Sequence, residues 1–463
     1  MIYQIYGFAH MCAKKILKKG RNEFKFISIV NDYERIEIEA DDKGYINDIE
    51  LKKGKNLIEI SSLYPVENII PVKGVHLNTH FVESFKRRNN KKFKFGLKES
   101  NAEKAWYEFI NASFIERKYR NSNLSMAAYI LECESWCLPS WIWTNAAIVR
   151  LYCKIGEIEK AKNLLNTLIN LQDGSGGWIV RNDYSHFGSI PMLAPNDSAY
   201  IANNACLTLY SVTKESKYLD VAVRCADWII DTARDDGMVL LGFDTKKKVW
   251  KTENNIVDVG FTAGLFANLY KYTNNKRYLD FLYKFVNAYI NLFFIKEKKG
   301  FATSLDRFDN RIGGMFARGQ AWALEGLIPA YRVLRDKKLY HIIDSTVDML
   351  VHYQTKDGAW HYNLTKPLMG LDCKGVSVIA LNILEWITLN EETKERMESC
   401  EKALQWCLKH TCSSRESVCY GGIFSYTTEG AIVHNMYTNT AMVYASVYAI
   451  ELKRMLEGLK KND

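Results

Sequence analysis

The segment from Leu209-Tyr210 to Tyr218-Leu219-Asp220 returns sixty residues later as Leu269-Tyr270 to Tyr278-Leu279-Asp280. A chain that copies itself at such an interval folds as copies of one small unit, each burying its apolar face against its neighbours. A second marker, Gln172-Asp173-Gly174 leading to Trp178, recurs as Gln354 with Asp357-Gly358-Ala359-Trp360. Related glycine turns fall at Gly237, Gly300-Phe301 and Gly421-Gly422. After each turn comes a loop, then an apolar helix rich in small residues, with starts near 140, 197, 258, 318, 376 and 436. Amphipathic helices run between them over 157–172, 217–234, 276–293 and 392–409, with an opening one near 102–116. Twelve helices in six pairs are expected.

Such a repeat either continues as an open solenoid or closes on itself. Closure is favoured because the second helix set is apolar nearly all round, as in 317–330 and 436–450, and needs cover on every side. The expected fold class is therefore an all-α (α/α)6 toroid over residues 99–463. Its long loops all precede inner helices, so they gather at one end and build a single cleft there.

Residues 1–98 read differently. Strict alternation over Arg35-Ile36-Glu37-Ile38-Glu39, and again from Asn56 to Ile60, predicts strands of a small β-rich module, with Pro65 and Pro71 breaking up its later part. Of the net charge of +9, the first hundred residues hold +6, with 19 Lys and Arg against 13 Asp and Glu. Much of it sits in 86–98, where Phe93 and Phe95 interleave with lysines. That run reads as a solvated linker or as a peripheral contact with an anionic surface; no nucleic-acid motif accompanies it, so no nucleic-acid partner is expected. No apolar stretch is long enough to span a membrane. The lysines of 1–20 follow its apolar part, the reverse of a secretory signal, and eleven cysteines without a CxxC pair suit reduced, buried thiols. A cytoplasmic location is expected. Cys133 with Cys137, and Cys407 with Cys412 near His410, have the wrong spacing for a zinc ribbon; no metal is expected.

The inner-helix starts supply the cleft. They offer Trp136, Trp141 and Trp143, then Asn196 and Asp197, then Asn255 and Asp258. Next come Arg307, Arg311, Arg318 and Gln320 with Trp322, then Asp372 and Lys374, and finally Glu429, His434, Asn435 and Tyr437. Taken singly, Asp197 and Asp258 read as helix N-caps. Two carboxylates on adjacent repeats, converging on a tryptophan-lined end, also read as the paired acids of glycoside chemistry; which is acid and which positions it stays open. Trp141, Trp143 and Trp322 read as sugar platforms or as core. A guanidinium at Arg318, at the start of an apolar helix, needs a carboxylate partner: a ligand's, Asp258 or Glu325. His434 reads as a base or as a surface or cap histidine.

At Ala317-Arg318-Gly319-Gln320-Ala321-Trp322-Ala323-Leu324, and at Asn255-Ile256-Val257-Asp258-Val259-Gly260-Phe261, the sequence resembles the unsaturated glucuronyl hydrolases of glycoside hydrolase family 88, and more distantly family 105. The resemblance implies an (α/α)6 barrel that hydrates the vinyl ether of an unsaturated uronic acid at a non-reducing end. It implies catalytic roles for Asp258, as acid/base, and Asp197, as second acid, with Arg318 and Gln320 facing the sugar; with no GxxxxGK(S/T), HExxH or Rossmann-type glycine fingerprint in the sequence, no metal or nucleotide cofactor is expected. The glutamine is the family 88 form, where family 105 relatives carry Asn. Departures are Asn196, where the glucuronyl hydrolases carry His, an unfamiliar loop at 429–435, and the first hundred residues, which have no counterpart. The expected function is that of an intracellular glycoside hydrolase-like enzyme acting on an oligosaccharide or polysaccharide, one that is anionic through its uronic acids. Two further readings keep the barrel: a sugar epimerase or lyase centred on His434 or Tyr437, and a non-catalytic glycan-binding protein of surface-polysaccharide biosynthesis.

Overall fold

The computed structural model describes residues 93–114, 123–130, 135–137, 142–179, 192–245, 247–251, 254–365, 371–372, 375–390, 393–424 and 440–460, with backbone strands between residues 2 and 73. The outer helices are α1 (Glu99–Ala112), α3 (Ile158–Ile169), α6 (Ser216–Thr232), α8 (Lys276–Phe293), α10 (Lys337–Tyr353) and α12 (Lys394–Lys409). The inner ones are α2 (Ile142–Ile155), α4 (Pro195–Ile201) with α5 (Thr208–Thr213), α7 (Phe261–Thr273), α9 (Ala317–Leu334), α11 (Gly375–Ile387) and α13 (Val443–Lys460). Each inner helix packs on the next, and α13 packs on both α11 and α2, with α1 laid against it. The ring closes, as the apolar inner faces require. Nearly the whole of α11 is buried, whereas α8 buries one face only.

The last inner helix starts at Val443 rather than near 436, and residues 436–439 lie outside the described set. Between α4 and α5 the helix widens into a π segment, Ala202–Leu207. There Asn203 accepts a hydrogen bond from Asn268 and Asn204 accepts one from Arg150, so the wider turn serves partners on two other inner helices.

The sixty-residue repeat has a physical content. At the end of each inner helix Thr213 and Thr273 donate to the carbonyls of Leu209 and Leu269. Lys214 and Asn274 then take the left-handed conformation that stops the helix. Tyr218 and Tyr278 follow, buried in the next outer helix. The second marker pins outer helices together. Gln172 donates to the carbonyls of Gly176 and of Val221 in α6, and Gln354 to those of Gly358 and of Ser399 in α12. The indole N–H groups of Trp178 and Trp360 close the preceding helices at Leu168 and Leu350. Gly176 and Gly358 have positive φ and press against backbone carbonyls of Arg224 and Lys402, so a side chain at either meets strain and a clash.

Short strands order the loops at the cleft end. In chain order they follow seven N-terminal strands, β1 (Ile2–Tyr6), β2 (Arg21–Ile27), β3 (Glu34–Ala40), β4 (Gly44–Ile46), β5 (Ile49–Leu51), β6 (Gly54–Ser61) and β7 (Glu67–Lys73). β8 (Ala128–Ile130) lies between β9 (Ser135–Cys137) and β18 (Thr440–Met442), tying the first inner loop to the last. β10 (Met192–Leu193), β11 (Gly242–Asp244) and β12 (Val249–Lys251) form a second sheet. β13 (Asn254–Ile256), β16 (Ser304–Asp306) and β17 (Arg311–Ile312) form a third, and β14 (Phe294–Ile295) pairs with β15 (Gly300–Phe301).

In the N-terminal module β3 and β6 pair as the alternation predicts, with Ile36 opposite Ile58, and β1 adds to β6 in parallel. Pro71 does not break its strand. It sits within β7 opposite Glu23 of β2, while β4 on the other side reaches only Val72 and Lys73, so at Pro71 the strand has a neighbour on one side alone. Barrel packing begins before the expected boundary at 98/99. Gly96 and Leu97 donate to Thr411 and Leu408, and Lys94 accepts from Ser413. Phe93, Phe95 and Leu97 turn inward while Lys94 and Lys98 are exposed, so here the interleaved aromatics serve packing; 86–92 lie outside the described residues.

Candidate active site

β13 leads into a short 3-10 turn, Val257–Gly260, which delivers Asp258 to the mouth of α7. Pro195 opens α4 and sets Asn196 and Asp197 in its first turn. Neither acid is an N-cap: those positions belong to Ala194 and Ile256, which offer no side-chain bond. The residue that meets Asp258 is Asn196, whose Nδ2 donates to Asp258 Oδ2 at 2.8 Å. Asp258 Oδ1 and Asn196 Oδ1 are buried without a hydrogen-bond partner among the described residues. Burial pushes the Asp258 carboxyl up to about 6; the Asn196 amide, the Arg318 charge and the amides of Asp258 and Val259 pull the other way. Asp197 is buried beside Asn196.

Arg318 stands in the first turn of α9, its guanidinium 4.6 Å from the Trp322 ring one turn on and 5.9 Å from that of Tyr362. Its carboxylate partner is Asp372, at 3.5 Å and almost wholly buried. Glu325 is not that partner, because it is committed to Arg150. Burial raises the Tyr362 hydroxyl to about 12, with Arg318 opposing.

Gln320 departs from expectation. It is wholly buried, its amide nitrogen donates to the Phe301 and Phe316 carbonyls and its oxygen accepts from the Phe301 N–H. With its amide engaged by backbone, Gln320 braces the loop that carries Arg318 and does not face a sugar. Asn255 is likewise structural, bonding to Val239 and Ile256, and Trp136 is core, stacked on Phe109.

Below these groups an aromatic collar circles the throat. Trp143 meets Tyr200 edge-on, Tyr200 meets Phe261, Phe261 meets Trp322, and Tyr444 meets Trp143. These rings come from five inner helices. Trp143 and Trp322 keep part of their surface exposed, as a cleft floor requires. Trp141, Lys374, Glu429, His434, Asn435 and Tyr437 lie outside the described residues.

Under the collar lies a polar network that sequence reasoning missed. Tyr200 and Tyr448 share a hydrogen bond at 2.8 Å, Tyr448 donates to Glu325, and Arg150 bridges Glu325, Asn204 and Glu451 at 2.9, 2.7 and 2.9 Å. Lys154 completes it at Glu451. Tyr362 was missed as well; its signal is its place two residues after Trp360 of the repeated turn. Among the described residues no group of three His, Cys, Asp or Glu could hold a metal ion, and His410 bonds to the Phe424 carbonyl while stacking on Trp406. No helix among them is long and apolar enough to cross a membrane.

The sequence profile of Glycosyl Hydrolase Family 88 matches residues 139–456. No curated protein sequence matches the chain. Among solved structures, the unsaturated glucuronyl hydrolase of Bacillus sp. GL1 superposes with a TM-score of 0.59 at 15% identity, over 78% of this chain and 97% of that one. A sugar epimerase from a ruminal bacterium gives 0.61 at 14% identity over 78% and 97%. The family 76 α-mannanase of Bacteroides thetaiotaomicron gives 0.57 at 12% over 79% and 98%. The likeness is one of fold, which these enzymes share across different chemistries.

Proposed function

The chain belongs to glycosyl hydrolase family 88, and from that membership we propose that it removes an unsaturated uronyl residue from the non-reducing end of an oligosaccharide by hydrating its vinyl ether. The observation that carries the reading is Asp258: a buried carboxyl held near neutrality, with one oxygen engaged by Asn196 and the other without a hydrogen-bond partner among the described residues. Because Asn196 donates to Oδ2, that oxygen acts as the carbonyl and the acid proton belongs on Oδ1. Oδ1 then gives its proton to one carbon of the double bond, leaving an oxocarbenium centre at the other. Water adds there and returns a proton to Asp258, and the resulting hemiketal opens to release the leaving sugar. One water is consumed and the carboxyl is restored.

Arg318 limits the cost of the transient Asp258 carboxylate, since its charge already pulls that pKa down. Trp143 and Trp322 form the apolar floor against which a sugar ring lies. Asp197 acts as the second acid of the pair. The substrate is taken to be an anionic uronate oligosaccharide, and the working location is taken to be the cytoplasm, a reading that the buried free thiols among the described residues support. Residues 1–92 are taken as a module apart from the catalytic barrel, touching an anionic surface through the basic run that ends at Lys98.

The test is loss of the ultraviolet absorbance of the unsaturated uronide when the protein meets lyase-generated disaccharides. Decay that disappears in Asp258→Asn supports hydration at this residue. Absence of decay with both glucuronyl and galacturonyl substrates overturns it.

A further inference from the structure

The loop that brings the chain from α8 to Arg318 rises into a hairpin, and its tip stands away from the site. β13, which delivers Asp258, pairs with β16, and the Val257 N–H continues the pairing onto the Thr303 carbonyl. From Thr303 to Phe308, at about 3.3 Å per residue, the tip lies roughly 15 Å from the catalytic turn. Phe308 is 69% exposed, the most exposed large apolar side chain among the described residues. The Arg307 guanidinium covers one side of the ring, 4.5 Å from its centroid.

The tip is firmly built. Asp306 accepts from the Phe308 and Asn310 amides and from the Asn310 side chain. Both terminal nitrogens of Arg234 hold Asp309 at 2.9 Å. Arg311 seats the second strand by donating to the carbonyls of Leu292 and Asn291 at the end of α8. The two acids of the tip are thus spent on internal bonds, while Arg307 and Phe308 face outward.

We infer that Arg307 and Phe308 form an outer subsite for the distal sugars of an anionic oligosaccharide whose non-reducing end lies at Asp258. The open ring face offers a stacking surface for a pyranose, and the guanidinium a partner for a carboxylate or sulfate. One continuous three-stranded sheet joins this platform to the catalytic turn. The distance spans several sugar rings, so a disaccharide at Asp258 does not reach it and a longer chain does. The inference rests on the proposed uronide reading for what occupies the inner site.

The experiment compares kcat/KM for unsaturated disaccharides and hexasaccharides of the same lyase, in the wild type, Phe308→Ala, Phe308→Trp and Arg307→Ala. The wild type is expected to favour the longer substrate through KM, and Phe308→Ala to lose about 2- to 10-fold on it, with the disaccharide rate as internal reference. Phe308→Trp retains the preference, and Arg307→Ala loses it in a salt-sensitive way. Equal length dependence in Phe308→Ala and the wild type overturns the subsite. If no substrate turns over, the uronide reading fails by itself. The subsite is then judged from binding of saturated hyaluronan hexasaccharide to the full chain, where an unchanged Kd in Phe308→Ala overturns it.

Discussion

Asp258 meets two opposed demands, being dry enough to hold a proton near neutrality and close enough to a cation to survive losing it. Its folded pKa of about 6 lies above the ordinary aspartate value of 3.8. Between those two values the unfolded chain is ionised while the folded one stays protonated, so the native state loses stability as pH rises through that window. Asp258→Asn is therefore expected to abolish turnover yet raise stability at pH 7 by up to about 3 kcal/mol, with the gain vanishing below pH 4; denaturant melts at pH 4 and pH 7 measure it. As the proposed acid, Asp258 must be protonated to act, so kcat/KM should fall as pH rises through about 6. Asn196 favours the ionised form, and Asn196→Ala should move that limb to higher pH as well as slow the reaction. A pH–rate profile in which the limb stays put would detach Asn196 from the acid.

The inner helix α9 presents three functions on successive turns: Arg318 in the cleft, Trp322 in the collar and Glu325 in the network beneath. Glu325 and Arg150 are both deeply buried, and removing one side leaves a charge stranded in the core. Arg150→Met should cost about 3 to 5 kcal/mol, because Glu325 and Glu451 lose their shared cation; urea titration of the folded chain gives the value. The paired change of Arg150 and Glu325 to apolar residues should cost less than Arg150→Met alone, because Glu451 keeps Lys154. At the outer ring, Gln354→Ala strips donors from two carbonyls and should cost about 1 to 3 kcal/mol, with Gln172→Ala showing a similar loss if the two markers do equal duty.

Across the whole molecule, what could be read beforehand was what is local. The inner-to-outer turn is written into Thr213 and Thr273, and the link between outer helices into Gln172 and Gln354, so the repeat betrays the barrel. Asp258 and Arg318 could be found because a polar residue at the mouth of an apolar helix stands out. Gln320 looked alike, but nothing within its own helix reveals that the Phe301 backbone claims it. The Arg150 network was out of reach for a simpler reason: its partners are 175 and 301 positions away, a pairing that only closure of the ring creates. Asn196 was legible as an oddity but not as a ligand of Asp258, since that contact joins two repeats.

The ring's seam lies where α13 meets α2 and α1, so the last barrel helix in chain order is the one that completes the ring. Until then the five earlier hairpins form an open crescent with an apolar inner wall bare to water, and Arg150 waits without Glu451. Contacts of such long sequence separation make folding slow and leave the nascent chain prone to association. A chain that stops before Val443 should be sticky, captured by chaperones or lost to inclusion bodies. Supplying the last helix as a separate peptide offers a way to time the closure.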